Sequence, residues 1–182
     1  MSSYPYYIVD VFAEKKYAGN QLAVIRHAQP LSTDEMQRIA NEMHFSETTF
    51  ILSDKTKNGG YNVRIFTPEE ELPFAGHPTL GTAHVVMNEI MAKPAKSVRL
   101  NLKVGPIPVE ESNGVLWMRQ NVPVFGTTVD KRKVAPAIGV RPEDVDDRFP
   151  VQVVSTGIPF VIVPLKANGC LRKARRDPAR LG

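Results

Sequence analysis

Glu71-Leu72-Pro73-Phe74-Ala75-Gly76-His77-Pro78-Thr79-Leu80-Gly81-Thr82-Ala83 is the stretch whose reading decides the fold. It starts as a loop, turns through Gly76 and enters a helix at Pro78, whose missing N–H costs nothing in the first helical position. From residue 79 to 92 the apolar residues Leu80, Ala83, Val86, Met87, Ile90 and Met91 form a stripe, and Val85 and Ala92 lie outside it. A helix apolar on more than one face is expected to be surrounded by protein. The other elements must therefore wrap round it. The unpaired N–H groups at its start, with the positive end of the helix dipole, suit an anion such as a carboxylate. Gly76 would let a ligand approach the backbone, and His77 could donate a hydrogen bond or move a proton near neutral pH. A plain capped helix start is the competing reading of the same letters. Gly76 and Gly81 have the separation of a phosphate loop, but Thr82-Ala83 replaces the Lys and hydroxyl pair, and no GxGxxG run supports a nicotinamide cofactor.

Working outward, residues 6–12 and 21–25 read as strands joined by a turn at Tyr17-Ala18-Gly19-Asn20. Residues 31–43 carry Met36, Ile39, Ala40 and Met43 on one face, with Ser32 and Glu35 in capping-box positions, and predict an amphipathic helix. Strands are expected at 48–53 and 61–66, flanking Asn58-Gly59-Gly60, and at 98–104, where apolar and polar residues alternate. Asn113-Gly114 predicts a tight hairpin between 108–112 and 115–120. Residues 122–129 read as a linker. Beyond it lie helical segments at 131–138 and 142–146, strands at 151–154 and 160–163, and a last helix from about residue 166 that runs to the chain end. The expected division is 1–121 and 122–182, the first unit nearly whole and the second the incomplete start of another.

Glu47, in Phe45-Ser46-Glu47-Thr48-Thr49-Phe50, is a candidate acid or base. Apolar neighbours would desolvate its carboxyl and raise its pKa toward the range where it can both give and take a proton. A surface glutamate at a strand entrance is the blander reading. Glu69, Glu70 and Glu71 suit a solvated turn. Four histidines and one cysteine make no convincing metal set, so no metal is expected, and the lone Cys170 leaves no intramolecular disulfide and points to a reducing, cytoplasmic setting.

The 182 residues are 42% hydrophobic and 23% charged, an ordinary globular composition, and 15 prolines disfavour an all-helical fold. The formal charge of +4 comes from the end of the chain. Residues 166–182 hold six basic residues and one acid, so the rest is close to neutral. That tail has no aromatic interleaving, so no nucleic-acid partner is expected. Apolar runs reach about seven residues where a membrane-spanning helix needs about 20, so no membrane partner is expected either.

Taken together, Val9-Asp10-Val11-Phe12 followed by Gly19-Asn20, the block at 45–50, Arg64-Ile65-Phe66-Thr67-Pro68, the opening stretch and Ser155-Thr156-Gly157 resemble the PhzF-like phenazine biosynthesis family in order and spacing. The resemblance implies an α+β, diaminopimelate-epimerase-like fold: two similar halves, each a curved mixed sheet round a central helix, with the active site between them. It implies a homodimer and cofactor-free isomerisation of a small carboxylate, as in trans-2,3-dihydro-3-hydroxyanthranilate isomerases. Glu47 then matches the catalytic glutamate, Gly76 and His77 match substrate-contacting positions, and Asn20 falls in a Gly-Asn element near the cleft. Gln21 stands where a proline is common. His77 lies near a position where related racemases carry a cysteine, which argues against two-thiol chemistry. The family's second acid, in an Asp-Pro-Ala-Thr-Gly-Ser-like motif, has no counterpart; Asp177-Pro178-Ala179-Arg180 shares only three letters. A non-catalytic remnant serving as an interaction or dimerisation module is the alternative expectation.

Overall fold

The computed structural model describes residues 3–93, 95–177 and 179. They form two compact units, 1–121 and 122–182.

In the first unit, β1 (Tyr6–Lys15) and β2 (Ala18–Ile25) make an antiparallel hairpin. The chain then crosses through α1 (Thr33–Met43) to β3 (Glu47–Ile51), which lies parallel to β2. β4 (Tyr61–Phe66) runs antiparallel to β3 and carries the short β5 (Glu71–Leu72) at one end. After α2 (Gly76–Val85) and a π-helical turn at Val86–Ile90, β6 (Ser97–Leu102) pairs in parallel with β4. β7 (Gly105–Ser112) and β8 (Val115–Met118) complete a mixed sheet in the order β1-β2-β3-β4-β6-β7-β8. α2 packs on β1 and β2 and also on β8, at opposite ends of that order. The sheet is therefore strongly curled round α2, an α+β architecture.

Strand alternation divides the core into two layers. Leu22, Val24, Ile51, Val63 and Ile65 face the α2 side, and Ile25, Phe50 and Phe66 join Met36 and Ala40 of α1 on the other. Thr49 lies on the inner face, where its hydroxyl meets that of Thr82 at 2.8 Å, both groups buried. Seven of the ten residues of α2 are buried, as expected of a central helix. A Cβ on Gly81 would stand 2.6 Å from Leu22 Cδ2 and 2.8 Å from Val11 Cγ2, so this glycine lets the helix seat against β1 and β2. The predicted capping box holds α1: Ser32 Oγ accepts from the Glu35 N–H and Glu35 Oε2 from the Ser32 N–H. Asn113 and Gly114, at φ 53 and 78, form the predicted tight turn.

Four expectations are corrected. The first turn falls at Lys16-Tyr17, and Gly19 and Asn20 belong to β2. Tyr17 takes a left-handed conformation and its N–H donates to Asp10 Oδ2, while Gly19 is needed because a Cβ there would lie 2.7 Å from the Val11 carbonyl oxygen. α2 starts at Gly76, placing His77 and Pro78 inside its first turn, where N–H groups lack helical partners in any case. The stretch read as a linker contains β9 (Val124–Thr128). The helix expected from about residue 166 to the chain end spans only Asn168–Lys173.

In the second unit β9 pairs with β10 (Gln152–Ser155), and β10 with β11 (Pro159–Ile162), all antiparallel. α3 (Lys131–Ala137) is capped by Asp130, whose side chain accepts from the Arg132 N–H. Ala135, Val140, Val145 and Val151 form a small core. α4 spans only Asn168–Lys173. The chain turns away because the Arg175 and Asp177 N–H groups donate to the carbonyls of Ile138 and Ala137, satisfying the end of α3. Pro178 and Arg180 of the tail motif lie outside the described residues.

Candidate active site

Glu47 opens β3 opposite Leu22 of β2. Two residues on, Thr49 shares its face and is tied to Thr82, so the Glu47 side chain stands on the α2 side of the sheet. His77 is the second residue of α2, only 8% exposed. Its Nε2 lies 3.4 Å from Glu47 Oε2, and that carboxyl side chain is 18% exposed. Both atoms are buried and neither has a hydrogen-bond partner; the third such atom among the described residues, Thr48 Oγ1, belongs to the next residue of the strand. Burial raises the Glu47 pKa above its ordinary value. It lowers that of His77, against a smaller opposing pull from the Gln21 backbone. Each group is thus biased toward its uncharged form, and their protonation ranges move closer together.

Asn20, on β2, reaches the far side of the same ring: its Nδ2 is 3.2 Å from His77 Nδ1. Gly76 begins α2, and a Cβ there would be 3.7 Å from Met118 Cε of β8. No side chain caps the helix, because its N-cap residue is Ala75. The structure therefore brings Glu47, His77 and Asn20 into one cluster at the first turn of α2, with Gly76 beside it.

Thr49 and Thr82 were not singled out from sequence, and Gln21 was noted only for standing where a proline is common. Gln21 contributes backbone, which no side-chain pattern signals. Thr49 and Thr82 carry a weak signal, as hydroxyls inside apolar segments that need a buried partner. Of the three adjacent acids, Glu71 is structural: Arg64 grips it through Nε and Nη2, each at 2.8 Å, and Lys103 adds a third contact. The arginine hydrogen bond, ahead of the lysine, holds the Glu71 pKa down. Glu69 and Glu70 lie in the turn, their N–H groups donating to Thr67 Oγ1. Among the described residues no cluster of His, Cys, Asp or Glu is arranged to hold a metal, and no helix is long and apolar enough to cross a membrane.

Residues 9–181 match the family described as phenazine biosynthesis-like protein, PhzC-PhzF. The chain is 33% identical over 175 residues to a trans-2,3-dihydro-3-hydroxyanthranilate isomerase from Pseudomonas aeruginosa, covering 94% of this chain and 61% of the relative. It is 35% identical over 176 residues to the enzyme of the same name from Pseudomonas chlororaphis, with the same coverage. The chain thus spans about 60% of the length of these curated relatives. A solved structure described as a predicted epimerase from Pseudomonas aeruginosa superposes with a TM-score of 0.81 at 33% identity, over 96% of this chain and 64% of that one. A PhzF-family phenazine biosynthesis protein from Bacillus anthracis gives 0.78 at 31% identity, over 94% and 59%. A probable proline racemase from Agrobacterium radiobacter, at 11% identity and a TM-score of 0.52 over 80% and 48%, shares the fold alone. With its curled sheet, its buried central helix and its motifs in family order, the chain belongs to the phenazine biosynthesis-like protein family, PhzC-PhzF.

Proposed function

We propose that this protein isomerises a small carboxylate by moving one proton between two carbons, with Glu47 as the shuttle. The observation that carries this reading is the buried Glu47 oxygen facing His77 Nε2 with no hydrogen-bond partner at rest. A carboxylate satisfied by an arginine, as Glu71 is, has little affinity for a proton. One that has lost water without gaining a partner gains affinity, and its acid form persists to a higher pH than that of a solvated carboxyl.

In the proposed step, ionised Glu47 removes a proton from a substrate carbon, and the C–H electron pair spreads into an adjoining conjugated system. The resulting carboxylic acid returns that proton to another carbon of the same system. Atoms and electrons are unchanged overall, so no oxidant, reductant or second substrate is required. Gly76 and His77 hold the substrate carboxylate through the first-turn N–H groups of α2, where the helix dipole favours an anion. His77 keeps its ring against Glu47 and lends a proton to the developing charge.

The names of the Pseudomonas relatives make trans-2,3-dihydro-3-hydroxyanthranilate the first substrate to test. The same reading takes 1–121 as one epimerase-like half and 122–182 as the start of a second, in a cytoplasmic homodimer. Turnover of this compound and a panel of small unsaturated carboxylates, followed by NMR with wild type and Glu47→Gln, tests it. Loss of isomerisation in the variant is expected, and undiminished turnover would remove Glu47 from the reaction.

A further inference from the structure

We infer that Asn20 is a positioning residue that fixes the tautomer of His77, so that Nε2 carries the ring proton toward Glu47. Resting on the proton-shuttle reading, this assigns Asn20 a role exerted through the histidine.

Two contacts on opposite sides of the ring agree. On one side the Asn20 amide nitrogen, a donor with no acceptor capacity, faces Nδ1 at 3.2 Å, a hydrogen bond that forms when Nδ1 supplies the lone pair. On the other, Glu47 Oε2 faces Nε2 at 3.4 Å. An ionised carboxylate only accepts, so a proton on Nε2 makes this contact attractive and a lone pair there would make it repulsive. A neutral imidazole has one N–H, and with Glu47 ionised, as it must be to accept a proton from substrate, both neighbours ask for it on the same nitrogen. The ring itself is 8% exposed, so water is a poor competitor for either nitrogen.

The backbone supplies the precision. Asn20 pairs with Val11 in the β1–β2 ladder, and the next-but-one residue, Leu22, pairs with Glu47 of β3. The amide is thus mounted on the strand between β1 and the strand that presents the carboxylate. His77 enters from α2, whose seating on β1 and β2 depends on Gly81. The backbone of Gln21 also reaches the ring and favours a proton on the imidazole. A ring turned to serve that carbonyl through Nδ1 would present a bare Nε2 to Glu47, and this is the state Asn20 excludes.

The test reads the tautomer directly. Imidazole nitrogen shifts of 15N-histidine-labelled protein, assigned to His77 by its loss in His77→Gln, are expected to show a pyridine-like Nδ1 and a pyrrole-like Nε2 in the ligand-free chain. The reverse pattern, or an even mixture, overturns the proposal without touching the role of Glu47. Asn20→Ala is expected to shift the pattern toward the mixed state, and Asn20→Asp, which puts an acceptor beside Nδ1, to move the proton onto Nδ1. Where turnover is measured, both variants should lose about 10²-fold or more in kcat with KM little changed, since a wrong tautomer leaves binding intact and disables proton transfer. An Asn20→Ala chain with the wild-type nitrogen pattern would also overturn it. Loss of turnover in Glu47→Gln with Asn20 variants unaffected would leave the shuttle standing and remove the clamp.

Discussion

His77 Nε2 stands 3.4 Å from Glu47 Oε2, and neither atom has a hydrogen-bond partner among the described residues. Burial disfavours charge at Glu47 in the folded state. The folded pKa of Glu47 lies above the unfolded one, so the native chain holds the extra proton between those values, and stability falls as pH rises through that window. Glu47→Gln removes the ionisation. The variant should be more stable than wild type at pH 8, by on the order of 1 kcal/mol, because the buried unpaired charge is replaced by a neutral amide. The difference should shrink as pH falls toward 4.5. Urea titrations at both ends of the range check this, and a variant less stable than wild type at pH 8 would contradict it.

The same desolvation sets the acid limb of activity. Glu47 must be ionised to accept a proton, so the exchange rate should rise with pH through an apparent pKa above the ordinary carboxyl value of 4.5. Because His77 is adjacent, that pKa belongs to the pair. A rate profile between pH 4 and 9 decides it, and an acid limb at or below 4.5 would mean that the working carboxyl is a solvated one.

The Thr49–Thr82 contact joins β3 to α2, close in sequence to Glu47 and His77. Replacing Thr82 by valine leaves the Thr49 hydroxyl with only its long 3.5 Å hydrogen bond to the Ala23 carbonyl. Thr82→Val should cost about 1–3 kcal/mol, while the double Thr49→Val, Thr82→Val chain should recover much of it, since two apolar groups of matching shape leave nothing unpaired. Denaturation of the two single variants and the double one gives the coupling. Additive losses would show that the hydroxyls do not act as a pair.

Gly81 holds the central helix close to β1 and β2. An alanine methyl would gain about 1 kcal/mol of helix propensity. It would also meet Leu22, Val11 and Val9 at 2.6, 2.8 and 3.1 Å. Overpacking at such distances costs about 1–3 kcal/mol, and two of the three neighbours are stiff β-branched side chains. Gly81→Ala should therefore be net destabilising by about 1 kcal/mol, read as a lower urea midpoint. A raised midpoint would mean that the sheet yields at this point.

Most of the first unit was legible because most of its elements have a local signal, the two-residue β5 and the π-helical turn being exceptions. The capping box at Ser32 and Glu35, the Asn113-Gly114 turn and the excess of apolar residues after Pro78 are all read within one helical turn or one hairpin. The errors came where distant contacts overrode local preference. Gly19 looks like a turn residue, yet it is required because β1 passes within reach of its missing side chain. The segment at 122–129 looks like a linker because of Pro123, Gly126 and its threonines; β9 forms because β10 offers a partner, with Gly126 packed against Val153. The cluster at the site was half legible. Glu47 and His77 stood out as residue types and Asn20 only through the family resemblance, and the contact of Asn20 with His77 spans 57 positions and left no trace in the pattern.

The central claim is that Glu47 carries the proton, and the most direct measurement is deuterium entry into substrate carbon in heavy water, comparing wild type with Glu47→Gln at matched folded concentration. A positioned acid or base contributes about 10²- to 10⁴-fold. The variant should therefore lose at least about 10²-fold in the incorporation rate while still binding substrate. Equal rates in the two proteins would contradict the account.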